Sequence, residues 1–543
     1  MADDFYVVDQ LVTGTETITL TDGGSGSGID TLRIDGVYGP VNQFTLVWSS
    51  DAFGPVAASA IYYTPNGSGF DGHRLVVNGV IENAVGSNGR DFIQGNILAN
   101  LIHGDALATG AGLNDTLWGS SGNDTIFGGA GNDEILGDND DDQLFGNAGS
   151  DNISGGGGID SVEGGAGADT MAGGATVGDT LTYATSSAGV QVRLEYGSTT
   201  FGAGGDAAGD VINGFTDILG SALDDRMEDL TKGTVAFGYN DNTFSGGDGA
   251  DRLILGGGND TGIGGSGNDF ILGEIGDDAL YGGNNDDDLR GSTGQDTLSG
   301  GNGNDSLVGG QGDDVLNGDS GSDTMVGGTG DDTFRANAAT DIIVEAAGEG
   351  RDLVYSGVNW TLGSTLEDLT LAGTAYRGQG NGLANQVTGN ARDNMLEGFG
   401  EADTIYGGDG RDTLYGMLGD DLLFGGKGND TFSGGAGADR FVFGALGDLV
   451  DTLFGNSEDI VDFSSAEGDV IDLSGVDAKS GVRGNQAFTF IGGAAFSGHK
   501  GELRAEGSPD GTTVEGDVDG DGQRDFRILV YIVPGLIDTD FLL

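Results

Sequence analysis

The chain contains no cysteine among its 543 residues, and it has only five prolines, three histidines and 21 lysines and arginines. Without cysteine, disulfides, zinc ribbons and thiol nucleophiles are excluded. Because 87 aspartates and glutamates bring the net charge to −66, nucleic acid and anionic membrane surfaces are repelled. The longest apolar run, residues 528–533, is far shorter than the ~20 residues that span a bilayer, so no transmembrane segment is predicted. The N-terminal residues lack the basic and apolar stretches of a cleavable signal peptide, so no Sec-type export is predicted.

Glycine, in contrast, is abundant, with 112 residues, and much of it belongs to a repeated nine-residue unit, G-G-x-G-x-D-x-U-x, in which U is usually a large apolar residue. Six copies fill residues 119–172, ten fill 246–335 and five fill 398–442. The aspartates of the first run are Asp124, Asp133, Asp142, Asp151, Asp160 and Asp169, and Asp115 precedes them in register. Those of the second run are Asp251, Asp260, Asp269, Asp278, Asp287, Asp296, Asp305, Asp314, Asp323 and Asp332. Those of the third run are Asp403, Asp412, Asp421, Asp430 and Asp439.

Each position of the unit has a physical role. Glycines adopt positive φ and allow a tight turn, whereas x-U-x forms a short strand whose middle side chain points to one face. Two strands and two turns make an 18-residue coil, and stacked coils form a parallel β-roll around a ladder of U residues. The pattern therefore predicts an all-β solenoid.

Stacking also places the aspartates in two rows. Like charges at such distances are unfavourable unless a cation lies between them. Calcium suits these rows, because it accepts carboxylate and carbonyl oxygens in flexible geometry. The alternative is that the aspartates only cap turns through Asx hydrogen bonds, but the large negative charge argues against it. We therefore expect multiple calcium ions, and a disordered chain without them, because the thin apolar ladder cannot offset the ordering entropy.

At this copy number the repeats resemble those of the RTX (repeats-in-toxin) family, calcium-binding β-roll exoproteins that bacteria export by type I secretion. The resemblance implies calcium held by the repeat aspartates and by carbonyls of the glycine turns. It also implies the type I secretion machinery as a partner and an extracellular, secreted or cell-surface location. Residues 137–145 and 282–290 replace the fourth-position glycine, so we expect weaker sites there.

The C-terminal part carries a second resemblance. Residues 439–443, 459–463 and 469–474 and the tail 538–543 are similar to the C-terminal domain of serralysins, although the protease signature H-E-x-x-H is absent. The resemblance implies a capping β-domain with an uncleaved secretion signal.

Within this part, four aspartates follow the spacing D-x-D-x-D-G-x-x-D that begins an EF-hand loop, namely Asp517, Asp519, Asp521 and Asp525. Ile528 occupies the twelfth position, where an EF-hand has a bidentate glutamate. The loop is therefore no complete EF-hand, and both a calcium site and a solvated acidic turn remain open.

The order of these segments predicts seven regions along the chain. They are an N-terminal β-domain or cap (1–85), a first β-roll (86–174), an irregular solenoid segment (175–245), a second β-roll (246–335), a further irregular segment (336–397), a third β-roll (398–442) and the serralysin-like C-terminal domain (443–543).

No catalytic or organic-cofactor site is predicted. His73, His103 and His499 are far apart in sequence, and no G-x-S-x-G elbow occurs in a strand–turn–helix context. We therefore expect an exported, non-enzymatic calcium-binding protein that acts as a structural, surface-layer or adhesive component, with self-assembly or a cell-surface glycan as its partner. The alternative is a secreted hydrolase or polysaccharide-modifying enzyme with a divergent site outside the repeats, near His73 or Glu82 or in an interrupting segment.

Overall fold

The strands of the computed structural model stack at intervals of two nonapeptide units. Thr125–Ala130 pairs in parallel with Gln143–Ala148, residue 125 opposite residue 143, and the same offset relates Thr404–Gly410 to Leu422–Gly428. Offsets of 18 residues follow from two turns and two strands per coil, so the parallel β-roll predicted from the sequence is confirmed.

The structure describes residues 84–86, 90–105, 112–194, 202–230, 241–449, 457–509, 511–531, 533 and 535–543, and it gives the backbone alone for the strands within residues 5–76, for Asn83 and for Thr200–Phe201. These residues contain strands and three short 3-10 turns, Gly205–Ala207, Leu446–Asp448 and Asp538–Asp540, but no α-helix. Within them, no helix is long and apolar enough to cross a membrane.

The chain divides into two compact units, Met1–Thr293 and Gly294–Leu543, and the division falls inside the run of ten repeats. The first unit begins with the strands Phe5–Val8, Thr15–Thr21, Thr31–Ile34, Gln43–Ser49, Ser59–Ile61, Gly72–Val76 and Asn83–Val85. Its first repeats follow as Arg90–Gln94, Leu101–His103, Thr116–Ser121, Thr125–Ala130, Glu134–Asn139, Gln143–Ala148, Asn152–Gly157, Ser161–Ala166 and Thr170–Gly174. It continues with Thr180–Thr182, Gln191–Leu194, Thr200–Phe201, Val211–Asn213, Asp217–Leu219 and Arg226–Asp229, and then with Thr243–Asp248, Arg252–Gly257, Thr261–Ser266, Phe270–Ile275, Ala279–Asn284 and Asp288–Thr293.

The second unit begins with Thr297–Asn302, Ser306–Gln311, Val315–Ser320, Thr324–Thr329, Thr333–Ala336, Ile342–Val344, Leu353–Ser356, Trp360–Thr361, Asp368–Leu371, Arg377–Gln379 and Gln386–Thr388. It continues with Met395–Phe399, Thr404–Gly410, Thr413–Leu418, Leu422–Gly428, Thr431–Ala436 and Arg440–Val442, and ends with Glu458–Ile460, Val470–Asp472, Thr489–Phe490, Glu502–Ser508, Gly511–Asp517, Phe526–Tyr531 and Phe541–Leu542.

Most repeat strands are longer than the three residues expected from x-U-x. Thr125–Ala130, for example, has six residues and extends through both glycines of the following turn. Gly129 lies opposite Asn147 in the same ladder, so the glycine backbone also takes part in strand pairing. The parallel ladder can run on because glycine tolerates the positive φ of 109° at this position.

The core of each roll is the predicted ladder of apolar side chains. Leu117, Ile126, Ile135 and Leu144 in the first unit are fully buried, as is Leu414 in the second. Outward neighbours on the same strands are partly exposed, which is the alternation of a strand with one buried face.

The predicted irregular segments contain longer coils. The N–H of Asp169 donates to Asp210, which lies 41 residues later rather than 18. In the second unit, the N–H of Asp332 donates to Asp352, 20 residues later. The stacking contact is thus kept while the coil between its ends lengthens.

Both ends of the chain differ from the regular roll. Thr31–Ile34 pairs in parallel with Asn83–Val85, and Gly72–Val76 pairs with Arg90–Gln94, so strands of the predicted N-terminal region join the ladders of the first roll. Near the C-terminus, Gly511–Asp517 pairs antiparallel with strands on both sides. This antiparallel sheet lies within the predicted C-terminal domain.

Candidate calcium sites

The aspartate of every repeat is buried. Each of the 22 predicted positions in the repeats and their lead-in, from Asp115 to Asp439, is at most 3% exposed. U, two residues after the aspartate, points into the core, and the aspartate lies between the glycine turn and this strand, within the stacked coils. Buried carboxylates at such positions need compensating partners.

In most of these carboxylates, one oxygen accepts a backbone N–H from the neighbouring coil. Oδ1 of Asp133 accepts the N–H of Asp115 at 2.7 Å, and Oδ1 of Asp151 accepts the N–H of Asp133 at 2.8 Å. The same bond recurs at 18-residue intervals in the second unit, for example from the N–H of Asp403 to Asp421 at 2.8 Å. The aspartates therefore form hydrogen-bonded rows along the stack.

The second oxygen, Oδ2, has no hydrogen-bond partner in many of these aspartates. This is true of Asp115, Asp124, Asp133, Asp142, Asp151, Asp160, Asp169, Asp251, Asp260, Asp269, Asp314, Asp323, Asp332, Asp403, Asp412, Asp421, Asp430 and Asp439. A row of buried, unsatisfied carboxylate oxygens is unfavourable unless a ligand supplies positive charge.

A glycine keeps open the space beside nearly every one of these Oδ2 atoms, and Leu255, before Asp260, is the exception. A Cβ built on Gly128 would lie 2.6 Å from Oδ2 of Asp133 and 2.7 Å from the carbonyl oxygen of Gly146 in the next coil. A Cβ on Gly407 would lie 2.5 Å from Oδ2 of Asp412 and 2.5 Å from a carbonyl oxygen. A carboxylate oxygen and a carbonyl oxygen thus converge on a point that only glycine leaves free, and both are acceptors.

The electrostatics agree with this geometry. Burial, followed by neighbouring carboxylates, raises the pKa of Asp115 to about 9 even though its carboxylate accepts a backbone hydrogen bond. Burial likewise raises the pKa of Asp142 and Asp260 to about 8 and that of Asp133 to about 6. Ionised carboxylates at neutral pH therefore require a cation, and an all-oxygen set of carboxylates and carbonyls suits calcium.

The C-terminal acidic loop is partly assembled. Asp517, Asp519 and Asp525 each place a carboxylate oxygen within 4.8 Å of the others, whereas the exposed Asp521 does not belong to this group. Asp517 is fully buried and accepts the N–H groups of Gly520 at 2.7 Å and Gly522 at 2.9 Å. The structure therefore brings three of the four predicted residues together.

Further aspartates take row positions that the repeat pattern does not show, among them Asp179 and Asp210. Asp179 is fully buried, its Oδ1 accepts the N–H of Asp160 at 2.9 Å, and its Oδ2 has no partner. It follows Asp160 by 19 residues, so allowing a one-residue insertion in the repeat would have found it. Asp210 receives the N–H of Asp169 at 2.8 Å, but its Oδ2 accepts the hydroxyl of Tyr183 at 2.9 Å. No local motif marks Asp210.

His103 and His499 each contact a neighbouring side chain. The ring of His103 stacks on Phe127 at a centroid distance of 4.7 Å, and burial lowers its pKa. Nδ1 of His499 lies 2.6 Å from Oγ of Ser497. The side chain of His73 and all of Glu82 lie outside the described residues.

Comparison with known proteins identifies the repeat. A model of the RTX calcium-binding nonapeptide repeat, four copies long, matches residues 109–144, 145–176, 238–271, 256–289, 263–298, 281–316, 290–325, 317–344, 379–414 and 415–450. No curated protein is similar enough to count as a match. Among solved structures, the AlgE6R3 subunit from the Azotobacter vinelandii mannuronan C5-epimerase is 30% identical over 28% of this chain and 78% of that chain, with a TM-score of 0.21. Repeats of the matching family bind calcium.

Proposed function

Because the chain belongs to the RTX calcium-binding repeat proteins, we propose that it leaves the cell unfolded, folds on external calcium and acts there as a non-enzymatic structural, surface-layer or adhesive component. The observation that carries this proposal is the rows of buried Oδ2 atoms without a partner. We propose the repeat aspartates, with Asp517, Asp519 and Asp525, as the calcium ligands. Asp521, which is exposed and lies outside this group of three, is a further candidate.

Calcium dependence gives export a physical basis. With a net charge of −66, the chain repels itself where calcium is scarce and stays extended enough to be threaded through a secretion channel. Outside the cell, ions neutralise the rows and the coils stack, so binding and folding occur together. RTX repeats are typical of type I secreted proteins, and the type I machinery is the proposed partner for export.

Repeats recur in three runs along the chain, at residues 119–172, 246–335 and 398–442, which supports a structural role. They form rigid stacked coils with regularly spaced outward side chains, a scaffold on which the same contact recurs along the roll. Self-assembly, or binding to a cell-surface glycan, would use such a repeated surface. We retain the seven predicted regions as the working domain organisation, with limited proteolysis in calcium as their test.

The test has two stages. In the first, circular dichroism follows a calcium titration of the full chain at neutral pH, and we expect β-structure to form only as calcium is added; an unchanged β-spectrum in strong chelator at that pH would contradict the calcium-folding step. In the second, electron microscopy of the calcium-loaded protein and of intact cells should show sheets, filaments or surface material. A strict monomer that turns over a protein, ester or uronate polymer would instead favour the enzyme alternative.

A further inference from the structure

One end of a repeat run places a glutamate where the regular pattern has a glycine. In a regular coil, the oxygen that faces the glycine from 18 residues later is a backbone carbonyl, as with Gly146 beside Gly128. The residue 18 positions after Gly327 is Glu345, at the end of the short strand Ile342–Val344. A Cβ on Gly327 would collide with Oε2 of Glu345 and with Oδ2 of Asp332, so a side-chain oxygen takes the place of the carbonyl.

Three carboxylates meet at this point. Asp332, Glu345 and Asp352 each place one oxygen within 4.8 Å of the other two. Asp332 and Asp352 are each 1% exposed. Of the three, only Asp332 is predicted from the nonapeptide pattern, and the structure adds Asp352 to the row, because its Oδ1 accepts the N–H of Asp332 at 2.9 Å. Glu345 lies outside every nonapeptide unit.

An independent feature points to a ligand here. Oδ1 of Asp332 accepts the N–H of Asp314 at 2.8 Å, whereas its Oδ2 has no hydrogen-bond partner and faces the same space as Glu345. The carboxylate of Glu345 accepts long backbone hydrogen bonds, from Gly328 in the facing coil at 3.2 Å and from Ala346 at 3.3 Å, and it lies within hydrogen-bonding reach of the Glu349 carboxylate. The three acids thus surround a point that holds no hydrogen-bond donor for the buried Oδ2.

We propose that Asp332, Glu345 and Asp352 bind one calcium ion in a site that the nonapeptide motif does not specify. This inference rests on the proposed function, which places the folded protein outside the cell in the presence of calcium. Three anionic ligands replace the carboxylate-and-carbonyl pair of a regular site, and a larger ligand charge raises calcium affinity. The site therefore fills at lower calcium than the regular sites do. Because Glu345 follows Ile342–Val344 and Asp352 precedes Leu353–Ser356, the ion fixes the first two strands after the repeat run.

The first experiment is anomalous diffraction from crystals of the full chain grown with calcium. Peaks beside the regular aspartates, such as Asp412 and Asp421, test the proposed function, whereas a peak between Asp332, Glu345 and Asp352 tests this inference. Filled regular sites with no peak at Glu345 would overturn the inference and leave the proposed function intact. Absence of all peaks in a folded chain would overturn both.

The second experiment uses Glu345→Gln, which keeps the size of the side chain and removes its charge. The matched control is Glu134→Gln, which removes the charge of an exposed glutamate on an outward strand position. Native mass spectrometry at limiting calcium should show one ion fewer for Glu345→Gln and no change for the control, and the affinity of the lost ion should fall at least about tenfold. An unchanged ion count would refute the assignment. If Glu345→Gln does not fold, the diffraction peak of the unaltered chain decides alone.

Discussion

Asp133→Asn removes one charge from a calcium row without changing the shape of the side chain. Asp133 is 2% exposed, and its Oδ1 accepts the N–H of Asp115 at 2.7 Å. Asparagine keeps that acceptor, so the row of backbone hydrogen bonds survives. What is lost is the anionic oxygen that faces the carbonyl of Gly146 across the space beside Gly128.

The size of the effect follows from mass action. A site whose ion binds only the folded chain stabilises it by about 1.4 kcal/mol when calcium is tenfold above the dissociation constant, and by about 2.7 kcal/mol at a hundredfold excess. The free energy of unfolding of Asp133→Asn should therefore fall below that of the unaltered chain by a difference that grows from about 1.4 to about 2.7 kcal/mol across this range. A packing defect would cost the same at every calcium concentration.

Urea unfolding at a series of fixed calcium concentrations, followed by circular dichroism, measures this difference. The matched control is Asp248→Asn, since Asp248 is an exposed aspartate within a repeat, and its effect should stay within about 0.5 kcal/mol. A stability loss for Asp133→Asn that does not change with calcium would refute the assignment of its Oδ2 as a calcium ligand.

Three further predictions test the same rows. Gly128→Ala places a methyl group 2.6 Å from the carboxylate oxygen and 2.7 Å from the carbonyl oxygen of Gly146, so it should cost stability at every calcium concentration and lose more as calcium rises, whereas Gly157→Ala, with nothing nearer than 3.8 Å, should do neither; equal effects of the two variants would contradict a calcium site beside Gly128. In chelator, burial raises the pKa of the row aspartates to between about 6 and about 9, so the calcium-free fold binds more protons than the unfolded chain does. Circular dichroism in chelator should therefore show β-structure at pH 4 that is lost as the pH rises from about 6 to about 9. A gain of β-structure over the same pH range would contradict this prediction. Tyr183→Phe removes the hydroxyl donor of Asp210 and should cost about 1.5–3 kcal/mol at every calcium concentration; a cost that scales with calcium would point to an ion at Asp210 instead.

The regular coils could be predicted from the sequence because their geometry repeats. A constant spacing of nine residues fixes both the pairing of residue i with i+18 and the face on which each aspartate lies. Leu117 and Leu414 occupy the buried ladder for this reason, and Asp124 and Asp412 occupy the rows. The length of the strands was not evident, because glycine has little intrinsic preference for a strand and pairs here only through the stack.

The row positions outside the regular spacing could not be predicted in the same way. Asp210 reaches its row through a coil of 41 residues, and Glu345 enters a site by replacing a carbonyl with a side chain. The positions of both residues depend on the point at which the chain rejoins the stacked coils after a longer segment. Tertiary packing determines that point, and no local sequence motif marks it. The missing glutamate of the EF-hand-like loop does have a structural explanation. Ile528, at the twelfth position, is fully buried and pairs with Val514 in the antiparallel sheet, so this position belongs to the core and not to the loop.

In the irregular segment of the first unit, hydroxyl groups of the protein donate to the second carboxylate oxygen, the atom that we assign to calcium in the regular repeats. At Asp210 the second carboxylate oxygen accepts the hydroxyl of Tyr183, and at Asp225 both oxygens accept the hydroxyl of Ser221, at 2.9 and 3.1 Å. Asp225 still receives the N–H of Val190 and remains buried, so the row is kept while the donor comes from the chain itself. Gly220 keeps the space beside Oδ2 of Asp225 open as in the rolls, and the donor comes from Ser221 at the second position of the unit, where most regular repeats have a second glycine without a side chain. A serine at this position is not sufficient, because the hydroxyl of Ser120 faces the carbonyl of Gly95 and Oδ2 of Asp124 has no partner. Calcium is therefore needed wherever no group of the chain donates to the buried Oδ2.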